Sequence, residues 1–507
     1  MAILTKIKEL IEQIVPVCEC WIQKGADGLD RFIDPNDSEE ISAHYGATHA
    51  AAAFILWGKQ TGDDALYKKG VSLLDSILTR WDKSKMLPAF HFDFNSLALC
   101  LVEGLVEEEM AKRIRETVIN TSDSNHDTIN WLPMRWAVNK KRIEWTNENK
   151  YASAISHCKK TIAKATNADG GVEDRLPHGM SFNLQYDLAT VAVLQYLRVH
   201  GEDIDLGKEL GFLLNAVAPD GDINYQGRGT NQIFAWGLWV YLLASSGQES
   251  ALEGALGYLS PRLGKMLANN NMMLNEWDGK EKYLWWDYHY ASVYTAHCLL
   301  WLVLALQDYG KKAITPIKPT TTETGLHIHR SENFFVSWFE GRSEYLAEKG
   351  HAIACIWSKK QGMICKGTFA PWQGYFGNKY IIDNAVLLNY NGVLVYKKET
   401  DLSKIPYIHR IFETLNFKTA LITRPCFTPI TITEQEGALY VNWDLSRIKC
   451  KVSLNLATTL DKIAVTAFAD SNRIEMINAM KIKNQYDWLF VHQTREIVAN
   501  IVSIKIK

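Results

Sequence analysis

From the N-terminus to about residue 315, apolar residues recur at helical spacing. Beyond it the rhythm changes to short alternating runs: "FFVSWF", "AIACIW", "GVLVYK", "ALYVNW", "KVSLNLA" and "IVANIVSIKIK". The first pattern predicts helices near 3–22, 43–60, 64–80, 92–104, 107–118, 126–139, 147–166, 182–200, 204–217, 229–246, 249–268 and 288–308. These twelve pair naturally into six hairpins, and they alternate in character. One kind is apolar around most of its circumference, as in "THAAAAFILWG", "NQIFAWGLWVYLL" and "YHYASVYTAHCLLWLVLAL". The other carries charge along one side, as in "YASAISHCKKTIAKAT". An inner ring packed on all sides and an outer ring facing water account for the alternation.

The expected fold is therefore α+β and multidomain. An (α/α) toroid of about six helical hairpins spans 1–315, a Thr/Pro linker covers 316–325, and an antiparallel β-sandwich spans 326–507. An irregular α-solenoid is the alternative for the helical part. Two Asp-Gly loops, "NADGG" and "APDGD", each precede an inner-type helix and suggest a faint internal repeat.

Composition narrows the class only modestly. With 47% hydrophobic and 22% charged residues the 507-residue chain is ordinary globular material. A net charge of -2 provides no global field for nucleic acid or an anionic membrane, so neither is an expected partner. The longest apolar run, "CLLWLVLAL", is too short to span a bilayer. The N-terminal stretch reads as an amphipathic helix rather than a signal peptide. The nine scattered cysteines read as buried free thiols, and a cytoplasmic location is expected.

Polar residues cluster where the inner helices begin. The openings contain His44, Tyr45 and His49; His91 and Asn95; Asn125, His126, Asn130 and Trp131; His178, Asn183, Gln185, Tyr186 and Asp187; Tyr225, Arg228, Asn231 and Gln232; and Trp285, Trp286, Tyr288, His289 and Tyr290. If the inner helices run the same way, these residues line a common cleft. Helix N-termini favour carboxylates or sulfates. Trp and Tyr offer flat faces to pyranose rings. His and Tyr move protons, and Asn and Arg can hold an acidic group. Such a set could abstract the proton alpha to a carboxylate and expel the group beta to it, which is β-elimination on a uronate.

The segments "NHDTINWLPMRWAVNKKRIEW" and "NADGGVEDRLPHGMSFNLQYDLATVAVL" resemble those of polysaccharide lyases that join an (α/α) toroid to a β-sandwich, the alginate-lyase and heparinase II/III-like groups. The resemblance implies Asn125 or Asn130 as the carboxylate neutraliser, His126 as base or orienting group, and Tyr186 as proton donor and possibly base. Asp187 stands where His is common in that family, and "RLPHGMS" places no clear Arg before the Tyr, so Arg175 or Arg228 takes that role. His44, Tyr45, Asn95, Trp131, Arg175, His178, Asn183, Gln232, Trp286, His289 and Tyr290 are the expected substrate-binding residues, with an acidic polysaccharide or oligosaccharide as partner. Plainer readings exist: a core tyrosine for Tyr186, a helix cap for His126, a structural ion pair for Arg228. "GRGTNQ" is not a phosphate loop, because a preceding strand and the spacing are missing.

No cofactor is implied. His327 and His329 share one face of a strand and with His351 could hold zinc, but they read as a surface pair, and no metal is assigned. Three other functions fit the same cleft. A glycoside hydrolase would need a carboxylate pair, drawn from Asp93, Asp127, Asp187 and Asp287. A uronate C5-epimerase starts with the same proton abstraction. A non-catalytic protein would bind glycans on the aromatic faces alone.

Overall fold

The computed structural model describes residues 2–35, 38–84, 91–121, 123, 127–176, 179–226, 232–268 and 290–339, and after these 353–360, 362–366, 379–382, 385–390, 393–398, 430–435, 438–445, 450–457, 462–469, 475–481, 488–496 and 500–505. The described helices are α1 (Ala2–Cys20), α2 (Gly46–Thr61), α3 (Asp64–Ser84), α4 (Phe92–Val102), α5 (Glu108–Asn120), α6 (Leu132–Thr146), α7 (Asn149–Ala165), α8 (Leu184–Val199), α9 (Gly207–Ala216), α10 (Phe234–Ser246), α11 (Glu249–Ala268) and α12 (Ala291–Gln307). The even-numbered helices pack each against the next, and α12 packs back on α2. That closes a six-membered inner ring. The odd-numbered helices pack outside it, α3 on α2, α7 on α6, α11 on α10, and α1 on α12 and α11. The helical part is an (α/α) toroid, and closure excludes the open solenoid.

Closure explains the sequence pattern. Every residue of α10 is buried, including Trp236 and Trp239, and α12 is buried from Ala291 through Ala305. In α7, by contrast, only Tyr151, Cys158, Ile162 and Ala165 are buried. Most of the chain's stability comes from such burial, at about 1.5–3 kcal/mol for each large apolar side chain.

The expected boundaries shift most at the sixth helix. The sixth helix starts at Leu132, not near 126, after a short 3-10 turn at Ile129–Trp131. Pro133 lies in its first turn, where a missing N–H costs nothing and the fixed φ suits helix entry. The helix then runs on to Thr146 and stops at Asn147, which takes a left-handed conformation (φ 58°).

The two Asp-Gly loops are built alike. Asn167 N–H donates to Gly171 O and Gly170 N–H to Asn167 O; Ala218 N–H donates to Asp222 O and Gly221 N–H to Ala218 O. Gly170 (φ 95°) and Gly221 (φ 94°) both need a positive φ, and both press on the outer helix that follows. A Cβ on Gly170 would meet Lys208 O of α9 at 2.3 Å, and one on Gly221 would meet Gly254 O of α11 at 2.4 Å. The faint repeat is thus a repeated docking turn.

At the C-terminal end of the inner helices, Asp308 is buried and accepts hydrogen bonds from Tyr241 Oη (2.9 Å), His200 Nε2 (3.2 Å) and Lys311 Nζ (2.9 Å). Burial pushes its carboxyl up, but these donors outweigh it and hold the group below the usual range. The chain then runs along the ring. Lys312 N–H donates to Ser245 O, Ile314 N–H to Ser246 O, and Ile317 N–H to Gly207 O. Thr324 donates from N and Oγ1 to Asp169 at 2.8 and 2.6 Å. The stretch read as a linker is therefore hydrogen-bonded to the toroid near both ends.

Strands follow. β5 (Leu326–Arg330), β6 (Phe334–Phe339), β7 (Ile353–Ser358) and β8 (Gly362–Lys366) form an antiparallel meander, in sheet order as in sequence. A second antiparallel sheet runs through Ile430–Gln435, Ala438–Leu445, Cys450–Ala457, Lys462–Ala469 and Asn500–Lys505. Three strands within 379–398 and the pair Glu475–Lys481 with Trp488–Glu496 make smaller antiparallel sheets. Two short hairpins, Ile22–Lys24 with Asp30–Phe32 and Asp174–Leu176 with Gly179–Ser181, lie inside the helical part.

Gly170→Ala tests the docking turn. It adds backbone strain and a clash with α9, for an expected loss of about 2–4 kcal/mol in chemical denaturation. Gly62→Ala is the control, since Gly62 is also left-handed (φ 76°) but nothing lies within 4 Å of the added carbon. It is expected to cost only about 1 kcal/mol. Equal losses would show that the turn is not pressed against α9.

Candidate functional site at the polar end of the ring

The N-termini of the inner helices meet at one end, as side-chain contacts around the ring show. His44, just before α2, has its ring centroid 4.7 Å from Tyr290, which precedes α12, and 4.3 Å from His91, which precedes α4. His91 lies 5.3 Å from Trp131, which precedes α6. Asn130 donates to Asp174, ahead of α8, and Gln226, ahead of α10, accepts from Leu184 N at the start of α8. Ser292 at the start of α12 donates to Asp34, which precedes α2.

Tyr290, His44, His91 and Trp131 form a continuous arc of rings across four helix mouths. His44, His91 and Tyr290 are half-buried, while Trp131 is only 7% exposed. His91 is the N-cap residue of α4 and sits in the left-handed region (φ 59°, ψ 24°). That conformation costs a non-glycine residue about 1–2 kcal/mol. The turn aims the imidazole back, and its Nδ1 lies 3.3 Å from Ala43 O. A carbonyl oxygen can only accept, so Nδ1 carries the proton, and in the neutral ring Nε2 is then the basic nitrogen.

Beneath the arc the α2–α4 junction is braced. Thr48 Oγ1 is 2.7 Å from Asn95 Oδ1, and Asn95 Nδ2 donates to His91 O at 3.1 Å. His49 Nε2 donates to Phe94 O at 3.2 Å. His49 Nδ1 must then accept, and it lies 3.0 Å from Nδ1 of His297 on α12. His297 therefore donates from Nδ1, and its buried Nε2 has no partner among the described residues. The two imidazole planes lie within 20° of each other with centroids 5.0 Å apart, and Phe234 is parallel to His297 at 4.5 Å. Tyr45, 3% exposed, lies between this pair and the arc, 4.7 Å from His49 and 5.4 Å from His91.

The mouths of α8 and α10 are polar for a different reason. Asn183 caps α8, its Oδ1 accepting from Gln185 N (3.0 Å) and Tyr186 N (3.4 Å). Asp187 accepts from Val172 N at 3.2 Å and so ties the first Asp-Gly loop to α8. Burial drives its carboxyl well above the usual range. Tyr186 is 6% exposed, and Gln185 is fully buried with neither end of its amide partnered among the described residues. Asn224 Nδ2 donates to Gln232 O at 2.9 Å, and Gln232 is fully buried. Asn130 holds Asp174 with both its backbone and side-chain N–H groups.

Two arginines of α6 complete the frame. Arg135 donates from Nε and Nη2 to the two oxygens of Asp93 at 3.2 and 2.9 Å, joining α6 to α4. Its Nη1 reaches Asp127 at 3.4 Å, and Asp127 also meets His157 at 2.9 Å. Arg142 pairs with Asp123.

The side chains of Asn95 and Asn183 make hydrogen bonds inside the protein, Gln232 accepts through its backbone carbonyl, and Asn130 donates to Asp174. His44, Tyr290 and Trp131 do share the arc, with Tyr45 just below it. Asn125, His126, His178, Arg228, Trp286 and His289 lie outside the described residues, as do Asp287, His351 and the side chain of Arg175. His91 was legible only as one polar residue of a helix mouth; its left-handed turn was not. His297 was visible as a single His in an apolar run, a pattern that predicts a satisfied core histidine. In the strands, His327 stacks on Trp338 at 5.2 Å and His329 faces Glu434 at 3.7 Å. No group of three or more metal-ligating side chains occurs among the described residues. None of the described helices is long and apolar enough to cross a membrane.

No protein-family model matches the chain, and no curated protein does. Solved structures do. The chain is similar to the α-1,6-mannanase of Salegentibacter sp. HEL1_6 at 14% identity, with 59% of this chain and 99% of that one covered and a TM-score of 0.43. It is similar to a glycosyl hydrolase family 88 protein of Bacteroides vulgatus at 13% identity, covering 59% and 98%, with a TM-score of 0.38. It is also similar to the polysaccharide lyase BACCELL_00875 at 12% identity, covering 59% and 96%, with a TM-score of 0.38.

The buried imidazole pair makes a pH prediction. Desolvation lowers His49 from 6.5 to about 3 and pushes His297 well below its ordinary value. Both stay neutral in the folded state and take up protons on unfolding. Their contribution to stability is therefore complete above about pH 6.5 and is lost as the pH falls toward 3. Each histidine adds up to about 1.4 kcal/mol per pH unit to that slope. Thermal unfolding across this range is expected to show the slope in the wild type and a flatter one in a His49→Gln/His297→Gln variant. Identical slopes would mean that the pair is not buried neutral.

Proposed function

We propose that the polar end of the ring is the active site of a carbon–oxygen lyase that cleaves a uronate-containing glycan by β-elimination. The arc from Tyr290 through His44 and His91 to Trp131 carries this reading. It joins a basic imidazole nitrogen, a phenol and flat aromatic faces at the helix N-termini, where an anionic sugar is favoured. A base at the arc takes the proton alpha to the uronate carboxylate. The electron pair forms the C4–C5 double bond as the bond to the leaving oxygen breaks, and an acid protonates that oxygen. Asn or Arg donors neutralise the carboxylate so that the carbanionic charge is stabilised.

The resemblance assigns the acid to Tyr186, the base or orienting group to His126, and neutralisation to Asn125, Asn130 or Arg228. Exposure adds a second phenol, because Tyr290 is half-exposed on the arc whereas Tyr186 is nearly buried. The antiparallel sheets beyond Leu326 are read as a β-sandwich forming a separate domain, and the chain as a cytoplasmic protein that acts on acidic oligosaccharides.

Asp187 favours hydrolysis as a second reading. A carboxyl whose protonated form is favoured by burial is the kind of group that acts as general acid in glycoside hydrolysis. Against it, Asp187 is 1% exposed and holds Val172, and Asp93 is held by Arg135.

Near-ultraviolet absorbance during incubation with a panel of uronic-acid oligomers separates the readings. Elimination predicts rising absorbance in the wild type and a loss of about 100-fold or more in His91→Gln. Of Tyr186→Phe and Tyr290→Phe, the acid is the one whose removal abolishes the signal. New reducing ends without absorbance, abolished in Asp187→Asn, would establish hydrolysis and refute elimination.

A further inference from the structure

We propose that Asn95, with Thr48 behind it, is a positioning residue that holds His91 as the proton acceptor of this site; the catalytic half of the statement rests on the elimination reading above. Asn95 is 1% exposed and lies in the first turn of α4. Its two amide ends serve two different elements. Oδ1 accepts from Thr48 of α2 at 2.7 Å, and Nδ2 donates to the carbonyl of His91 at 3.1 Å. The His91 carbonyl also accepts from Asn95 N at 3.2 Å, so one residue clamps it twice.

That carbonyl belongs to a residue in the left-handed region, where the chain does not rest without support. The conformation determines where the side chain goes. It brings Nδ1 to Ala43 O and lays the ring 4.3 Å from His44 and 5.3 Å from Trp131. If His91 relaxes to the ordinary helical or extended region, the ring leaves the arc and Nδ1 loses its acceptor. The tautomer is then free to exchange, and the basic nitrogen is no longer fixed in place.

The side chains of α2 make the support specific. Thr48 reaches Asn95 while the adjacent His49 reaches Phe94 O, so two successive residues of one helix grip the first turn of the next. Asn95, read from sequence as a sugar-binding residue, acts on the site through His91 in this proposal.

Histidine-selective nitrogen-15 labelling tests this on the full chain, with the His91 signals assigned by their loss in His91→Gln. The wild type is expected to show His91 locked in the Nδ1–H tautomer. Asn95→Ala is expected to shift it to an exchanging mixture, Thr48→Val to do so partly, and Thr48→Ser to restore the lock. Should Asn95→Ala not fold, Asn95→Asp carries the test, because a carboxylate cannot donate to the His91 carbonyl. A folded Asn95 variant with His91 still locked as Nδ1–H overturns the proposal. On any oligouronate that the wild type cleaves, kcat of Asn95→Ala is expected to fall about 100-fold with KM little changed. An unchanged kcat overturns the positioning role. Loss of the tautomer lock in a chain without elimination activity supports the positioning of His91 and removes only the elimination reading.

Discussion

A helix packed on every side can present polar side chains to a ligand only at its ends. The six inner helices are in that position, because the ring they form is closed by the contact of α12 with α2. Buried polar groups are costly unless they are bonded. The inner helices are accordingly mostly apolar, with Trp236, Trp239 and Trp301 fully buried in them, and buried polar side chains along their length, such as Arg142 and His297, have hydrogen-bond partners. All the chemistry that the ring can display is thereby concentrated at two ends. One is sealed by Asp308 and the chain that follows it. The other collects six helix N-termini, with their free N–H groups and partial positive charge.

The open end is not uniform. On the α8 and α10 side its polar residues serve the protein itself: Asn183 caps, Asp187 ties down a loop, and Gln226 and Asn224 hold backbone. On the side of α12, α2, α4 and α6 it presents two imidazoles, a phenol and an indole in one arc. The second side is also the more strongly braced. Beneath it lie the Arg135–Asp93 pair, the His49–His297 pair and the Thr48–Asn95–His91 chain. Rigid support under half-exposed imidazoles is what a proton-transfer site needs, since misplacement by an ångström is costly in rate.

Much of this was legible in sequence because it rests on periodicity. Burial all round versus burial on one side separates α10 from α7 in the bare string, and the alternation of the two implies a double ring. The polar helix openings were legible for the same reason: they interrupt apolar runs. What was not legible depends on single backbone angles and on partners far apart in the chain. Nothing in "HFDFNS" announces that His91 turns left-handed, or that its ring returns to a carbonyl at Ala43. Asn95 and Asn183 look like ligand groups in sequence because an amide that caps or braces and an amide that binds sugar are the same residue. The bonds they make, to His91 O and to the N–H groups of α8, are visible only in the fold. The start of α6 was misplaced because "DSNHDTIN" is rich in capping residues and each could open a helix; Pro133 and the turn at Ile129–Trp131 decide it.

The most direct test of the central claim, that the arc at the ring's polar end is where the glycan binds, is a crystal structure of the chain with an oligouronate bound. A sugar ring is expected against Trp131 with its carboxylate toward the helix N-termini and its reacting carbon within reach of His91 Nε2. An oligosaccharide seated on the strands beyond Leu326, or at the α8 and α10 mouths with the arc empty, would contradict it.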